Sequence, residues 1–346
     1  MIPTSLPRPR TPDPADAPPV NWGIIAPGGI ASAFVSAAKT FTRQRFVACG
    51  SSSLERARAF ADRFDIPAAY GSYEQLVADP AVQAVYVASP HTFHFEQAKM
   101  ALEAGKHVLV EKSFTTSAAQ AQELADLARA QGLALMEAMW TRFLPRTDVV
   151  RQLLEDGALG ELDLLVADHG QSLMHVPRLV EPELAGGALL DLGIYPVSWA
   201  VFALGLPGRI QATGDLTDRG VDRQEAIVLD QFSAHPGARA VLHSTISAKT
   251  PTTATLSGTE ARVELDGDFY LPGPVRLVRP DRQSLMAPLE GIVGHQGLCH
   301  EAAAFAQLVA DGAVEHPLLP LDETVGIVRV LDEIRAQLGV VYPWER

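Results

Sequence analysis

The chain has 346 residues, more than one ordinary domain holds and about what two require. Its formal net charge of -13 argues against nucleic acid or an anionic membrane as a partner, because both attract basic surfaces. Hydrophobic residues at 47% against 20% charged supply a sizeable core, and two cysteines, Cys49 and Cys299, are too few and too far apart for a disulfide framework or a zinc site.

Residues 1–20 are rich in Pro and Asp, carry no apolar signal-peptide core and read as a disordered tail. No apolar run reaches the roughly 18 residues of a membrane span. A soluble protein of the reducing cytoplasm is expected.

From residue 21 short strands and helices alternate. A buried strand over 21–28 runs into a Gly turn, and small and apolar residues at helical spacing follow over 30–40. Strand 45–49 precedes helix 54–64. Strand 84–88 precedes helix 93–104, which stops at Gly105. Strand 107–110, helix 117–131 ending at Gly132, and strand 133–138 complete the series. This alternation calls for a parallel sheet with helices on both faces, a Rossmann-type α/β domain over 21–143. Past about residue 145 the pattern changes. A helix over 146–155 ends at Gly157, and segments 162–169, 225–233, 238–247, 253–257, 261–265 and 275–278 alternate in character without helices between them. They predict an open, mostly antiparallel sheet, flanked by helices that include 300–311 and 321–338. Residues 144–346 are thus expected to form an α+β domain.

The first strand ends in Ala26-Pro27-Gly28-Gly29-Ile30-Ala31. A dinucleotide-binding turn needs a tight bend, close backbone approach to the pyrophosphate and a free helix N-terminus. The usual small residues of that turn fall here on Ala26, Gly28 and Ala31, and its place in an α/β domain supports the cofactor reading. Ala26, Gly28, Gly29 and Ile30 are the expected contacts. No acid ends the second strand to take a ribose 2′-hydroxyl. Ser51, Ser52, Ser53 and Arg56 suit a 2′-phosphate, which favours NADP over NAD, while one serine also serves as a helix cap.

Lys112 directly follows strand 107–110, at the carboxyl end where open α/β sheets bind ligands. In Gly186-Gly187-Ala188-Leu189-Leu190-Asp191-Leu192-Gly193-Ile194-Tyr195, a helix would put Asp191 and Tyr195 on one face. The blander alternative is a helix start with a buried, satisfied tyrosine. Oxidising an alcohol by hydride transfer needs a base, and a nearby lysine lowers the pKa of a tyrosine from about 10. Lys112 and Tyr195 would form such a pair, with Asp191 orienting the substrate or Lys112. His175 and Arg178 lie near Asp191 in sequence and are candidates for substrate or interface contact. His94, three residues after His91, is expected at a helix start facing the cleft edge. His169, His175, His295 and His300 match no zinc spacing, so no metal is expected.

On these residues the chain resembles the glucose–fructose oxidoreductase/inositol dehydrogenase/MocA family, from residue 22 to residue 343. The family's Glu-Lys-Pro signature appears as Glu111-Lys112-Ser113, and its Gly-Gly-x-x-x-Asp-x-Gly-x-His/Tyr element is intact, ending on Tyr195. Residues 136–145 (MEAMWTRFLP), His175-Val176-Pro177-Arg178 and the closing Gly339-Val340-Val341-Tyr342-Pro343 look like the dimeric dihydrodiol dehydrogenases and the NADP-dependent D-xylose 1-dehydrogenases within it. The resemblance implies an NADP-dependent enzyme moving a hydride between nicotinamide and a carbinol carbon of a sugar, polyol or vicinal diol. It implies Lys112 and Tyr195 as catalytic and Asp191 as supporting. Ser89, Pro90, His91, His94 and Glu111 would lie along the nicotinamide and ribose, and Trp140 and Arg142 would line the cleft. The open sheet would form a homodimer or homotetramer. Because of the departures at Ala26 and Ser113, the alternative is a non-catalytic NADP-binding sensor of the same fold.

Overall fold

The computed structural model describes residues 4–287 and 291–346. They fall into two compact units. One holds Pro12–Phe143 and Gly294–Val325; the other holds the described residues of 1–11, 144–293 and 326–346.

The first unit is built on six parallel strands: β1 (Asn21–Ile25), β2 (Arg45–Gly50), β3 (Ala68–Tyr70), β4 (Ala84–Val87), β5 (His107–Glu111) and β6 (Leu135–Ala138). Their order is β3-β2-β1-β4-β5-β6, the doubly wound order of a dinucleotide fold. Between them run α1 (Gly29–Phe41), α2 (Leu54–Phe64), α3 (Tyr73–Val77), α4 (His94–Glu103) and α5 (Ala118–Gln131). β4 and β6 are buried at every residue, as strands covered by helices on both faces must be. Ser53, Ser72 and Ser117 cap α2, α3 and α5 by accepting the amide three residues on, which is why these helices start where they do. The core is aromatic: the Trp22 ring lies 5.5 Å from Phe34, and Phe34 stacks on Tyr86 at 4.0 Å.

Two expectations need correction. Residues 12–20 are not a disordered tail: Pro14, Ala17 and Val20 are buried, and the Val20 amide donates to Gln44 Oε1 at 3.0 Å. In the other unit Arg10 pairs with Asp148 and Glu155, both at 2.9 Å. Prolines with preset φ lose little entropy on ordering, so a Pro-rich composition does not by itself exclude a docked segment. Residues 294–325, expected in the second domain, belong to the first unit. Phe305 sits 5.2 Å from Trp22, and the Leu135 amide donates to the Val314 carbonyl at 2.9 Å. A helical pattern shows that one face is buried but not which unit covers it.

In the second unit α6 (Pro145–Glu155), β7 (Leu162–Gly170), α7 (Pro177–Val180) and α8 (Ile194–Leu204) come first. Strands β8 (Arg209–Leu216), β9 (Asp222–Asp230), β10 (Arg239–Thr245), β11 (Ala254–Gly258), β12 (Arg262–Leu265), β13 (Val275–Val278) and β14 (Ser284–Ala287) follow. With β7 they form an eight-stranded sheet, order β14-β13-β12-β11-β7-β10-β9-β8. Within this sheet, among the described residues, only β7 and β10 pair in parallel. Helix α9 (Leu298–Ala310) lies in the first unit, and α10 (Leu321–Leu338) has residues in both. The stretch Pro182–Leu204 is apolar enough to cross a membrane by length and composition, but 94% of its apolar window is buried inside the protein, as in a core helix.

Candidate functional site

The first unit carries the nucleotide turn. β1 ends at Ile25, and Ala26 bends back with φ +58°, the left-handed region where the sequence usually places glycine. Gly28 is the N-cap of α1 and offers no side chain to its free amides. A Cβ on Gly28 would meet only the Ala26 carbonyl, at 3.8 Å, and one on Gly29 would meet nothing within 4 Å. An uncapped helix N-terminus beside side-chain-free backbone fits a pyrophosphate. Ile30 follows in the first turn of α1.

At the end of β2 the serines divide their work. Ser51 is buried and accepts the Ser53 amide at 3.3 Å; Ser53 caps α2. Ser52 and Arg56 are exposed, with Arg56 Nη2 donating to Ser52 Oγ at 2.9 Å. The cap is therefore one serine, and a hydroxyl–guanidinium pair remains at the surface, where a 2′-phosphate would find donors.

Ser89 and Pro90 follow β4 half-buried, and His91 opens a short 3-10 turn. His94 does not face a cleft edge. It is fully buried, with Nδ1 2.8 Å from the Ser113 carbonyl and Nε2 2.8 Å from the Ser89 carbonyl. Burial lowers its pKa and the two carbonyls oppose that shift. Glu111 is buried and accepts the Tyr86 hydroxyl. Lys112 is partly exposed; its amide donates to Glu111 Oε2 at 3.2 Å, and the Lys112–Ser113 peptide is cis. Glu137, in β6, takes the Phe114 amide at 3.1 Å, and burial pushes its pKa up to about 7. Trp140 and Arg142 are buried rather than lining open space. Trp140 stacks on His295 at 5.7 Å, and Arg142 is held by Glu323 at 2.7 Å. A motif read from sequence shows which residues are near a site, not which of them the packing has closed over.

The second unit carries Asp191 and Tyr195. A π-helical turn, Leu189–Gly193, holds Asp191 and runs into α8, whose first turn holds Tyr195. Arg178 grips the buried Asp191 carboxylate with two bonds, 3.1 and 3.3 Å. Tyr195 is nearly buried; its ring lies 5.3 Å from His169 and 4.8 Å from Tyr270. His169 Nδ1 lies 3.2 Å from the Leu192 carbonyl, a partner that can only accept, so its Nε2 takes the Gln171 amide at 3.0 Å. Gln171 also donates to the Tyr270 hydroxyl at 3.3 Å. His175 is exposed in the loop before α7.

Asp222, Glu225, Gln171 and Tyr270 were not anticipated. Asp222 Oδ2 takes the Leu189 amide at 2.5 Å, and Glu225 receives the Ser244 hydroxyl beneath the turn. Burial raises the pKa of both, Asp222 to about 6. No local sequence signal marks these residues, because their partners are remote in the chain or visible only once the sheet is paired. Among the described residues no group of three His, Cys, Asp or Glu is placed to hold a metal.

The sequence profile of an oxidoreductase family with an NAD-binding Rossmann fold matches residues 20–139, and the GFO/IDH/MocA C-terminal domain matches 147–264. Trans-1,2-dihydrobenzene-1,2-diol dehydrogenase of Macaca fuscata fuscata is 36% identical over 335 residues, covering 94% of this chain and 99% of that protein. Its namesake from Xenopus tropicalis is 37% identical over 331 residues, covering 93% and 99%. A 3-ketoreductase of Actinomadura kijaniata, crystallised with NADP and TDP-benzene, is 28% identical with a TM-score of 0.81, covering 93% of this chain and 98% of that one.

Proposed function

The chain belongs to the GFO/IDH/MocA oxidoreductase family, and from that premise we propose that it is an NADP-dependent dehydrogenase of a vicinal diol, sugar or polyol. The observation that carries this reading is the end-to-end likeness to dihydrodiol dehydrogenases, joined to an uncapped α1 with open space over Gly28 and Gly29. Bound nicotinamide supplies the hydride acceptor or donor. Gly28, Gly29 and the α1 amides would hold the pyrophosphate; Ser52 and Arg56 would hold the 2′-phosphate.

In the oxidative direction Tyr195 would take the proton of the substrate hydroxyl. Lys112 holds the same oxygen and favours the tyrosine phenolate. Asp191, fixed by Arg178, orients the substrate. The pairing of Lys112 with Tyr195 is supported by the family's two motifs. The aromatic wall of Tyr270 and His169 against Tyr195 suits the flat carbon face of a ring substrate. We also propose a cytoplasmic protein whose open sheet joins copies of the chain.

The test is turnover by the purified protein with NADP and with NAD on trans-1,2-dihydrobenzene-1,2-diol, D-xylose and other aldoses, followed by absorbance of reduced nicotinamide. Oxidation of one of these substrate classes with NADP is expected. Tight NADPH binding without turnover on any of them would favour the sensor reading instead.

A further inference from the structure

Three consecutive residues after β5 are each held by a different buried side chain. The Lys112 amide donates to Glu111 Oε2 at 3.2 Å, the Ser113 carbonyl faces His94 Nδ1 at 2.8 Å, and the Phe114 amide donates to Glu137 Oε1 at 3.1 Å. The holders come from β5, the start of α4 and β6. His94 Nε2 also lies 2.8 Å from the Ser89 carbonyl; a neutral ring donates to one of these two carbonyls and only a protonated ring to both.

Glu137 is the costly member. It sits in β6 among Leu135, Met136 and Ala138, at 1% exposure, where an apolar side chain would serve the sheet better. Its Oε2 has no hydrogen-bond partner among the described residues, and neither oxygen of the buried Glu301 on α9 has one. A buried acid in a parallel-sheet core, with one oxygen spent on a loop amide, is what a positioning role requires and what packing alone does not explain. We infer that Glu137 is a positioning residue for Lys112: with His94 and Glu111 it clamps the backbone from which the Lys112 side chain extends, and so fixes where Nζ can reach. The importance of Lys112 rests on the proposed function; the clamp itself is measurable without turnover.

The groups facing Glu137 are Glu111 and Lys112 at the end of β5, the Phe114 amide, Arg142 after β6, and Glu301 on α9. An ionised carboxylate accepts an amide more strongly than a neutral acid does, so the grip on Phe114 tightens as Glu137 loses its proton. Glutamine keeps an acceptor oxygen without the charge; alanine removes both.

The experiment compares hydrogen exchange, by mass spectrometry, in full-length wild type, Glu137→Gln and Glu137→Ala. In the wild type the Phe114 amide should exchange about a hundredfold or more slower than in an unstructured peptide. Glu137→Ala should raise exchange across residues 112–116 by about tenfold or more while β5 itself stays protected, and Glu137→Gln should restore most of the protection. With substrate, Glu137→Ala should lower kcat by about tenfold or more with KM changed by less than about threefold, because the lysine is misplaced rather than lost. Glu137→Gln should recover kcat and flatten its pH dependence near neutrality. An unprotected Phe114 amide in the wild type overturns the clamp, even if Glu137→Ala fails to fold. Exchange unchanged at 112–116 in Glu137→Ala, or raised equally throughout the sheet, also overturns it. The expected exchange pattern in a protein that oxidises no substrate supports the clamp and overturns the proposed activity.

Discussion

Asp222 of β9 accepts the Leu189 amide at 2.5 Å, which fastens the turn bearing Asp191 to the sheet beneath it. Gly187 lies where any Cβ would run into the same carboxylate, and its φ of +120° is one that side chains rarely adopt. The glycine pair before the turn is therefore a requirement of the anchor. Asp222→Ala should destabilise the protein by about 1–3 kcal/mol, the cost of an unpaired buried amide. Gly187→Ala should cost roughly 3 kcal/mol or more, from strain and overlap together. Urea unfolding of both variants measures this, and wild-type stability in Gly187→Ala would refute the anchor.

Stability should fall as pH rises through weak acid. Burial holds the pKa of Glu137 near 7 against an ordinary 4.5, and that of Asp222 near 6 against 3.8. Between each pair of values the folded chain keeps a proton that the unfolded chain releases, so the stabilisation is complete below the lower value and lost by the upper one. For Glu137 the loss between about pH 4.5 and 7 is on the order of 3 kcal/mol. Glu137→Gln should flatten that part of the unfolding free energy measured against pH.

Ala26→Gly should stabilise the chain by about 0.5–1 kcal/mol. Alanine at φ +58° carries a left-handed penalty that glycine lacks, partly offset by the greater freedom of glycine in the unfolded chain. Thermal unfolding without ligand reads this out, and a lower Tm in the variant would contradict it.

The double variant Ser52→Ala, Arg56→Ala should weaken NADP binding by about tenfold or more and leave NAD within about twofold. Titration of both dinucleotides by tryptophan fluorescence distinguishes this from a general loss of the site. Equal losses for the two would place the 2′-phosphate elsewhere.

Lys112→Ala and Tyr195→Phe should each lower turnover by about a hundredfold or more with folding and cofactor binding retained, as loss of an acid–base partner does. Steady-state kinetics on the best substrate measure it, and near-normal turnover in both variants would remove them from the chemistry.

Much of the parallel sheet was legible because its strands are short apolar runs between glycines and capping serines. β8 was not: every residue of Arg209–Leu216 is exposed or half-exposed, so no buried apolar face marks it. β3 has three residues and α8 is apolar all round, so neither gives a period to read. Lys112, Asp191 and Tyr195 stood out through local motifs. Asp222 could not, because its partner Leu189 is 33 residues away and only the pairing of β9 into the sheet brings them together. The buried state of His94, Trp140 and Arg142 was equally invisible, since each is covered by residues remote in the chain.

The return of residues 294–325 to the first unit bears on how this protein is made. Trp22 meets Phe305, and β6 donates a hydrogen bond, from the Leu135 amide, to the Val314 carbonyl. A nascent chain that has emerged only as far as Phe143 therefore carries a nucleotide fold with one wall missing. It must wait through the synthesis of the whole second sheet before α9 arrives to cover Trp22. Such late completion exposes an aromatic core to chaperones and to neighbouring chains. A truncated product ending near residue 143 is accordingly a poor candidate for separate expression, even though its strands are all present.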